Sequence, residues 1–166
     1  MRVADVMSRG VQHCRTSDNL ERAAQLMWEQ DLGALPVLDE GGHPVAMVTD
    51  RDVCMAAYTQ GKPLHDIPIV SAASHGFYSV GPDDPLERAE SIMKMHRVRR
   101  VPVLDAGGNL VGMVGLADLI HHASAWHDLA ELAATISDVF RPHDLQRFRP
   151  QPPGSEPPAT GHAKGA

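Results

Sequence analysis

ALPVLDEGGHPVAMVTDRD, residues 34–52, decides how the rest of the chain is read. Leu35-Pro36-Val37-Leu38 is a short apolar run, Asp39-Glu40-Gly41-Gly42 a turn, and Val45-Ala46-Met47-Val48 a second apolar run. Two such runs around a Gly-containing turn predict a β-hairpin, Leu35–Val48, buried on at least one face. The second run meets Thr49-Asp50-Arg51-Asp52, where a hydroxyl, a cation and two carboxylates follow directly on buried strand. A hydroxyl or carboxylate ahead of an apolar periodic segment caps a helix. At a strand-to-helix junction the same groups stand beside the unpaired N–H groups of the first helical turn, where they can face a ligand. The residues alone leave both readings open.

The stretch occurs twice. Sliding the chain against itself by 66 residues lays Ala34–Asp52 on Arg100–Asp118, RVPVLDAGGNLVGMVGLAD, without a gap. Upstream, Asp18, Leu20, Glu21, Arg22, Ala23 and Met27 meet identical residues at Asp84, Leu86, Glu87, Arg88, Ala89 and Met93. Over Val3–Val53 against Ile69–Leu119, 18 of 51 positions are identical, which makes the chain a tandem duplication.

Each copy has the same predicted parts. In the first, Val3–Ser8 is a linking segment, Val11–Cys14 a strand, and Ser17-Asp18-Asn19 a helix cap. Leu20, Ala23, Ala24 and Met27 form an apolar helical stripe, and Gly33 is expected to close that helix in the left-handed conformation. The hairpin follows, and Asp52 leads into a second helix, Val53–Thr59. In the second copy Phe77–Val80 is the strand and Asp84-Pro85 starts a helix with Leu86, Ala89, Ile92 and Met93 on its apolar face. Val101–Val114 is the hairpin, and the last helix spans residues 117–125. The fold class is α/β, with two β-α-β-β-α units, residues 1–68 and 69–125, packed on each other because one such unit has only a small core. Leu129, Leu132, Ala133, Ile136, Val139 and Phe140 keep helical spacing, so residues 126–141 form an additional C-terminal helix that covers an apolar surface of the pair or of a partner copy. Residues 142–166 are a flexible tail, Pro- and Gly-rich with scarcely any apolar content.

Composition fits a soluble globular protein: 166 residues, 43% hydrophobic, net charge −6. There is no overall basic field to attract nucleic acid or an anionic membrane. Cys14 and Cys54 lack CxxC spacing and read as small hydrophobes in a reducing compartment. With no signal peptide and no apolar run long enough to span a bilayer, the expected location is the cytoplasm.

Two units of this order, with a hydrophobic-Pro-Val-hydrophobic-Asp run, a Gly turn and a hydrophobic-Val-Thr-x-x-Asp ending, resemble a tandem pair of CBS domains over Val3 to about Ala123. The resemblance implies a pair with pseudo-twofold symmetry, two clefts between the units and dimerisation. It also implies adenine nucleotides or their relatives (AMP, ADP, ATP, NAD, S-adenosylmethionine) in one or both clefts, with no cofactor required. Asp52 and Asp118 hold the family's Asp position, where a carboxylate accepts ribose hydroxyls. Thr49 holds its Ser/Thr position, and Gly115 and Ala117 replace Thr49 and Arg51 in the second unit. By that analogy cleft one joins Met47, Thr49, Arg51 and Asp52 to Arg99 and Arg100, with Phe77, Tyr78 and Val80 near the base. Cleft two joins Met113, Gly115 and Asp118 to Val11, Gly33 and Ala34, which carry no charge. Cleft one is therefore expected to bind an anionic nucleotide, and cleft two to bind weakly, take a less charged derivative or stay empty.

The implied function is a regulatory adenine-nucleotide sensor, a homodimer that signals to a protein partner. The alternative is an interaction scaffold with vestigial clefts that docks through the C-terminal helix. Arg97, Arg99 and Arg100 also fit a solvated surface cluster. His121, His122 and His127 lack the spacing or Cys partners of a zinc site, so no metal is expected. No G-x-S-x-G elbow, P-loop or G-x-G-x-x-G is present, and Asp50 and Asp52 serve capping better than a two-carboxylate mechanism. The chain is not expected to be an enzyme.

Overall fold

The computed structural model describes residues 1–74, 76–126 and 129–140. Strands β2 (Ala34–Leu38) and β3 (Pro44–Thr49) form the first hairpin, and β4 (Arg100–Leu104) and β5 (Leu110–Gly115) the second. Register repeats at the offset of the duplication. Leu35 pairs Val48 and Val101 pairs Val114, with a matching irregularity at Val37/Leu38 and at Val103/Leu104. A short β1 (Cys14–Arg15) runs parallel to β2, while its counterpart is a single bridge, Val80 to Val103. The expected strands Val11–Cys14 and Phe77–Val80 thus shrink to their last residues. In the first unit the reason is that Val11 and Gln12 line a cleft instead of pairing.

Helices α1 (Leu20–Glu29) and α2 (Asp50–Gln60) flank the first hairpin, and α3 (Leu86–His96) and α4 (Leu116–Trp126) the second. Asn19 caps α1 by accepting the Arg22 N–H at 3.1 Å. Gly33 does not close this helix. Asp31 takes the left-handed conformation (φ 51°) and the Leu32 N–H reaches back to the Met27 carbonyl at 2.9 Å. Arg97 (φ 54°) and the Val98-to-Met93 bond (3.1 Å) repeat this closure in α3. These are Schellman turns with an apolar residue clamping each end, so the cap falls two residues before the glycine. Helix α2 begins at Asp50, three residues earlier than expected, because Thr49 is its N-cap and Asp52 its third residue.

The two units share their cores. Val3 and Val6, at the N-terminus, are buried with Val80, Leu86, Met93, Val101, Val114 and Leu119 of the second unit. Ile67, Ile69 and Ala73, the matching segment, are buried with Leu20, Leu35, Val48 and Val53 of the first. Backbone bonds hold both crossings in the same geometry: Leu20 N–H to Ile67 O and Leu86 N–H to Met1 O, each 3.0 Å. Ser8 bridges β5 at Met113, and Ser74 donates its N–H to Met47 O on β3 at 2.8 Å. The N-terminal segment therefore sits beside β5, where it forms one wall of a cleft.

The expected additional helix is α5 (Leu129–Val139), and it covers the pair itself. Leu132 and Val139 are buried in the second core, and Thr135 Oγ1 donates to the buried Glu90 carboxylate on α3. The tail expected over 142–166 lies outside the described residues.

Candidate functional site

Cleft one opens where β3 gives way to α2. Its volume is about 520 Å³, and Met47, Thr49, Arg51 and Asp52 line it from the first unit. Facing them are Arg97, Val98, Arg99 and Arg100, which follow the left-handed turn of α3 into β4. The fold brings together six expected residues here: Met47, Thr49, Arg51, Asp52, Arg99 and Arg100.

Capping and ligand binding need not compete at Thr49 and Asp52. Asp52 Oδ2 accepts both the Thr49 hydroxyl (2.7 Å) and the Thr49 N–H (2.8 Å), and the Asp52 N–H donates to Thr49 Oγ1 at 3.2 Å. This reciprocal box holds the carboxylate in place and leaves Oδ1 without a hydrogen bond from the described residues. No carboxylate among the described residues forms an ion pair with Arg51, Arg97, Arg99 or Arg100. Four guanidinium groups with no ion-pair partner among the described residues thus converge on one cleft of an otherwise acidic chain. Such a concentration attracts anions, and the planar fork suits phosphate.

Cleft two, about 400 Å³, is lined by Val11, Ala34, Met113, Gly115 and Asp118, as expected, together with Ser8, Arg9, Gln12 and Gln30. Two expectations are corrected. Gly33 lines cleft one, and the wall facing Asp118 is not free of charge, because Arg9 and Arg100 border cleft two. The physical reason is the path of one long side chain. A Cβ at Gly115 would lie 3.8 Å from Arg100 Cγ, and one at Gly33 would lie 3.5 Å from Arg100 Nη1. Arg100 thus runs alongside both glycines and borders both clefts. Among the described residues, Asp118 Oδ2 accepts the Gly115 N–H (2.7 Å) and no hydroxyl, since Gly115 supplies none.

Phe77, Tyr78 and Val80 are not among the residues lining cleft one. Tyr78 stacks on His96 with ring centroids 3.6 Å apart, and Val80 is buried in the second core. The residues expected in cleft one did not include Arg97, Val98, Val139 or Phe140. The left-handed turn at Arg97 has a counterpart at Asp31, a symmetry that a sharper reading of the repeat could have used. Phe140 directly follows α5, beyond the repeat, and had no such signal.

Burial, aided by Asp18, pushes the Cys14 thiol up to about 11, so it stays protonated near neutral pH. His122 Nδ1 lies 2.9 Å from its own helix at Asp118 O, and His127 lies outside the described residues. Among the described residues, no group of three metal-ligating side chains gathers. No described helix is long and apolar enough to cross a membrane.

The arrangement has relatives. The chain is 35% identical over 117 residues to the CBS domain-containing protein YhcV of Bacillus subtilis, covering 70% of this chain and 81% of that protein. It is 33% identical over 118 residues to Hypoxic response protein 1 of Mycobacterium tuberculosis, covering 71% and 82%. The crystal structure of Hypoxic Response Protein I with two coordinated zinc ions superposes with a TM-score of 0.67 at 32% identity, covering 74% of this chain and 99% of that one. The CBS domain protein PAE2072 from Pyrobaculum aerophilum, complexed with AMP, superposes with a TM-score of 0.69 at 25% identity, covering 80% and 98%. The CBS domain model itself matches twice, over residues 3–58 and 66–125. The chain belongs to the CBS domain family, as a tandem pair.

Proposed function

We propose that the protein is a regulatory module that binds an adenine nucleotide, AMP or a relative such as ADP or ATP, in cleft one. The observation that carries this reading is the convergence of Arg51, Arg97, Arg99 and Arg100 on the cleft that also holds the boxed Asp52 carboxylate. The free Oδ1 of Asp52 accepts ribose hydroxyls, and the guanidinium groups take the phosphate. AMP bound to PAE2072, a relative by fold, supports the ligand class. Cleft two, bordered by Arg9 and Arg100, takes an anionic ligand more weakly or a less charged derivative such as S-adenosylmethionine or NAD.

In this reading the ligand biases the geometry of the pair or of a homodimer, and a partner protein in the cytoplasm responds. A ligand shifts such an equilibrium only by its difference in affinity for the two states. The scaffold alternative is weakened by α5, whose Leu132 and Val139 are already buried against the protein's own core.

Calorimetric titration with AMP and with adenosine tests the proposal. AMP is expected to bind, and adenosine, lacking the phosphate, to bind at least tenfold more weakly, because one charge-assisted contact contributes about that much. Equal affinities, or no binding of AMP, would overturn it.

A further inference from the structure

Helix α5 belongs to neither family unit, which end at residues 58 and 125. It is nonetheless fastened at defined points. Leu132 and Val139 are buried in the second core, Thr135 bonds the buried Glu90, and Lys94 Nζ lies 3.7 Å from Asp138 Oδ2. Glu90 stands where the first unit has Ala24, so the Thr135 anchor has no counterpart there. The Phe140 N–H continues the last turn to Ile136 O at 3.0 Å. So docked, the helix end delivers Val139 and Phe140 to the wall of cleft one. The Arg99 guanidinium carbon lies 5.7 Å from the centre of the Phe140 ring, a cation–π contact, while 57% of Phe140 stays exposed.

We propose that α5 is a nucleotide-responsive element and that Phe140 is the positioning residue coupling it to cleft one. The inference rests on the nucleotide reading above. A long arginine side chain loses rotamer freedom when a ligand fixes it. Phe140 restrains Arg99 beforehand, so less freedom remains to be lost when a phosphate arrives. An occupied cleft also covers part of the exposed ring. Both effects exist only while α5 is docked, so they supply the difference in affinity that a switch requires. Reciprocity follows: docking tightens nucleotide binding, and nucleotide tightens docking by the same factor. The helix, and whatever follows it in the chain, thereby reads the state of the cleft.

The test is hydrogen exchange and calorimetry on the full chain, with AMP as probe. Saturating AMP is expected to slow exchange of the amides of residues 130–140 by about three- to tenfold. Phe140→Ala should weaken AMP binding by the same factor and abolish the slowing, and Phe140→Tyr, which keeps the ring, should restore both. Thr135→Val, remote from the cleft, should weaken AMP binding too, because it loosens α5 from α3. If AMP binds the native protein but exchange in α5 is unchanged, or if Phe140→Ala binds AMP as well as the native chain, the coupling is overturned and the nucleotide reading stands. No AMP binding to the native chain would overturn both.

Discussion

Arg100 borders both clefts, so its removal should be felt in two places at once. The perturbation is Arg100→Ala, compared with Arg51→Ala for cleft one and Arg9→Ala for cleft two. Arg100 is half-buried between Gly33 and Gly115, so its contact to a phosphate is partly shielded from water. A hydrogen bond to a charged group contributes about 1.5–3 kcal/mol, and incomplete burial places Arg100 at the lower end, about 1.5–2 kcal/mol. That corresponds to roughly 10- to 30-fold in affinity. Arg51 and Arg9 are exposed, and screening reduces each to about 0.5–1 kcal/mol, or roughly two- to fivefold at one cleft alone. The assay is an amide NMR titration with AMP. Thr49 and Asp52 report cleft one, and Gly115 and Asp118 report cleft two. Unfolding free energies from urea titration should stay within about 0.5 kcal/mol of native, because the β4 backbone pairing does not use this side chain. The reasoning fails if Arg100→Ala weakens the response at Thr49 and leaves Gly115 and Asp118 titrating as before. It fails equally if Arg51→Ala weakens both clefts alike.

Three further outcomes follow from the packing. A Cβ added at Gly112 would lie 2.6 Å from Met7 Sδ and 3.0 Å from the Ser8 carbonyl, so Gly112→Ala should destabilise by about 1–3 kcal/mol in urea unfolding. Adding Met7→Ala should recover part of that loss, since the matching positions in the first unit, Ala46 and Ala73, are both small and buried; no recovery would count against the crossed N-terminal segment. Ellman's reagent should react quickly with one thiol, the exposed Cys54, and reach Cys14 only on unfolding, whereas two fast thiols would contradict the burial of Cys14. The side chain and N–H of Asn109, with the Gly107 N–H, hold the Asp105 carboxyl below its ordinary value of 3.8. A carboxyl lowered in the folded state stabilises it above the unfolded pKa, and that contribution disappears as pH falls through the folded value. Carboxyl NMR should show this depressed titration, and Asn109→Ala should move it up; an unchanged midpoint would mean that the side chain is not the cause.

Duplication, hairpins and helix order were legible in the residues because each is local. An apolar run, a Gly-Gly turn and an N-cap lie within a few positions of one another, and a second copy at constant offset removes most of the ambiguity. Asp52 could be singled out for the same reason, since Thr49 and Asp52 form their box across three residues. Local signals also misled. Gly33 looked like the end of a helix that in fact closes at Asp31, where Leu32 and Met27 clamp the turn and tolerate a left-handed aspartate.

Sequence by itself determined the two units, their internal register and the cationic run at Arg97–Arg100, because hydrophobic period and turn chemistry are properties of adjacent residues. Tertiary structure alone decided what stands next to what. Val3 is buried with the second unit's core, Arg100 passes between two glycines that are distant in sequence, and Phe140 reaches Arg99 from a helix outside the repeat. Those placements depend on shape and space between segments far apart in the chain, and no window of neighbouring residues encodes them.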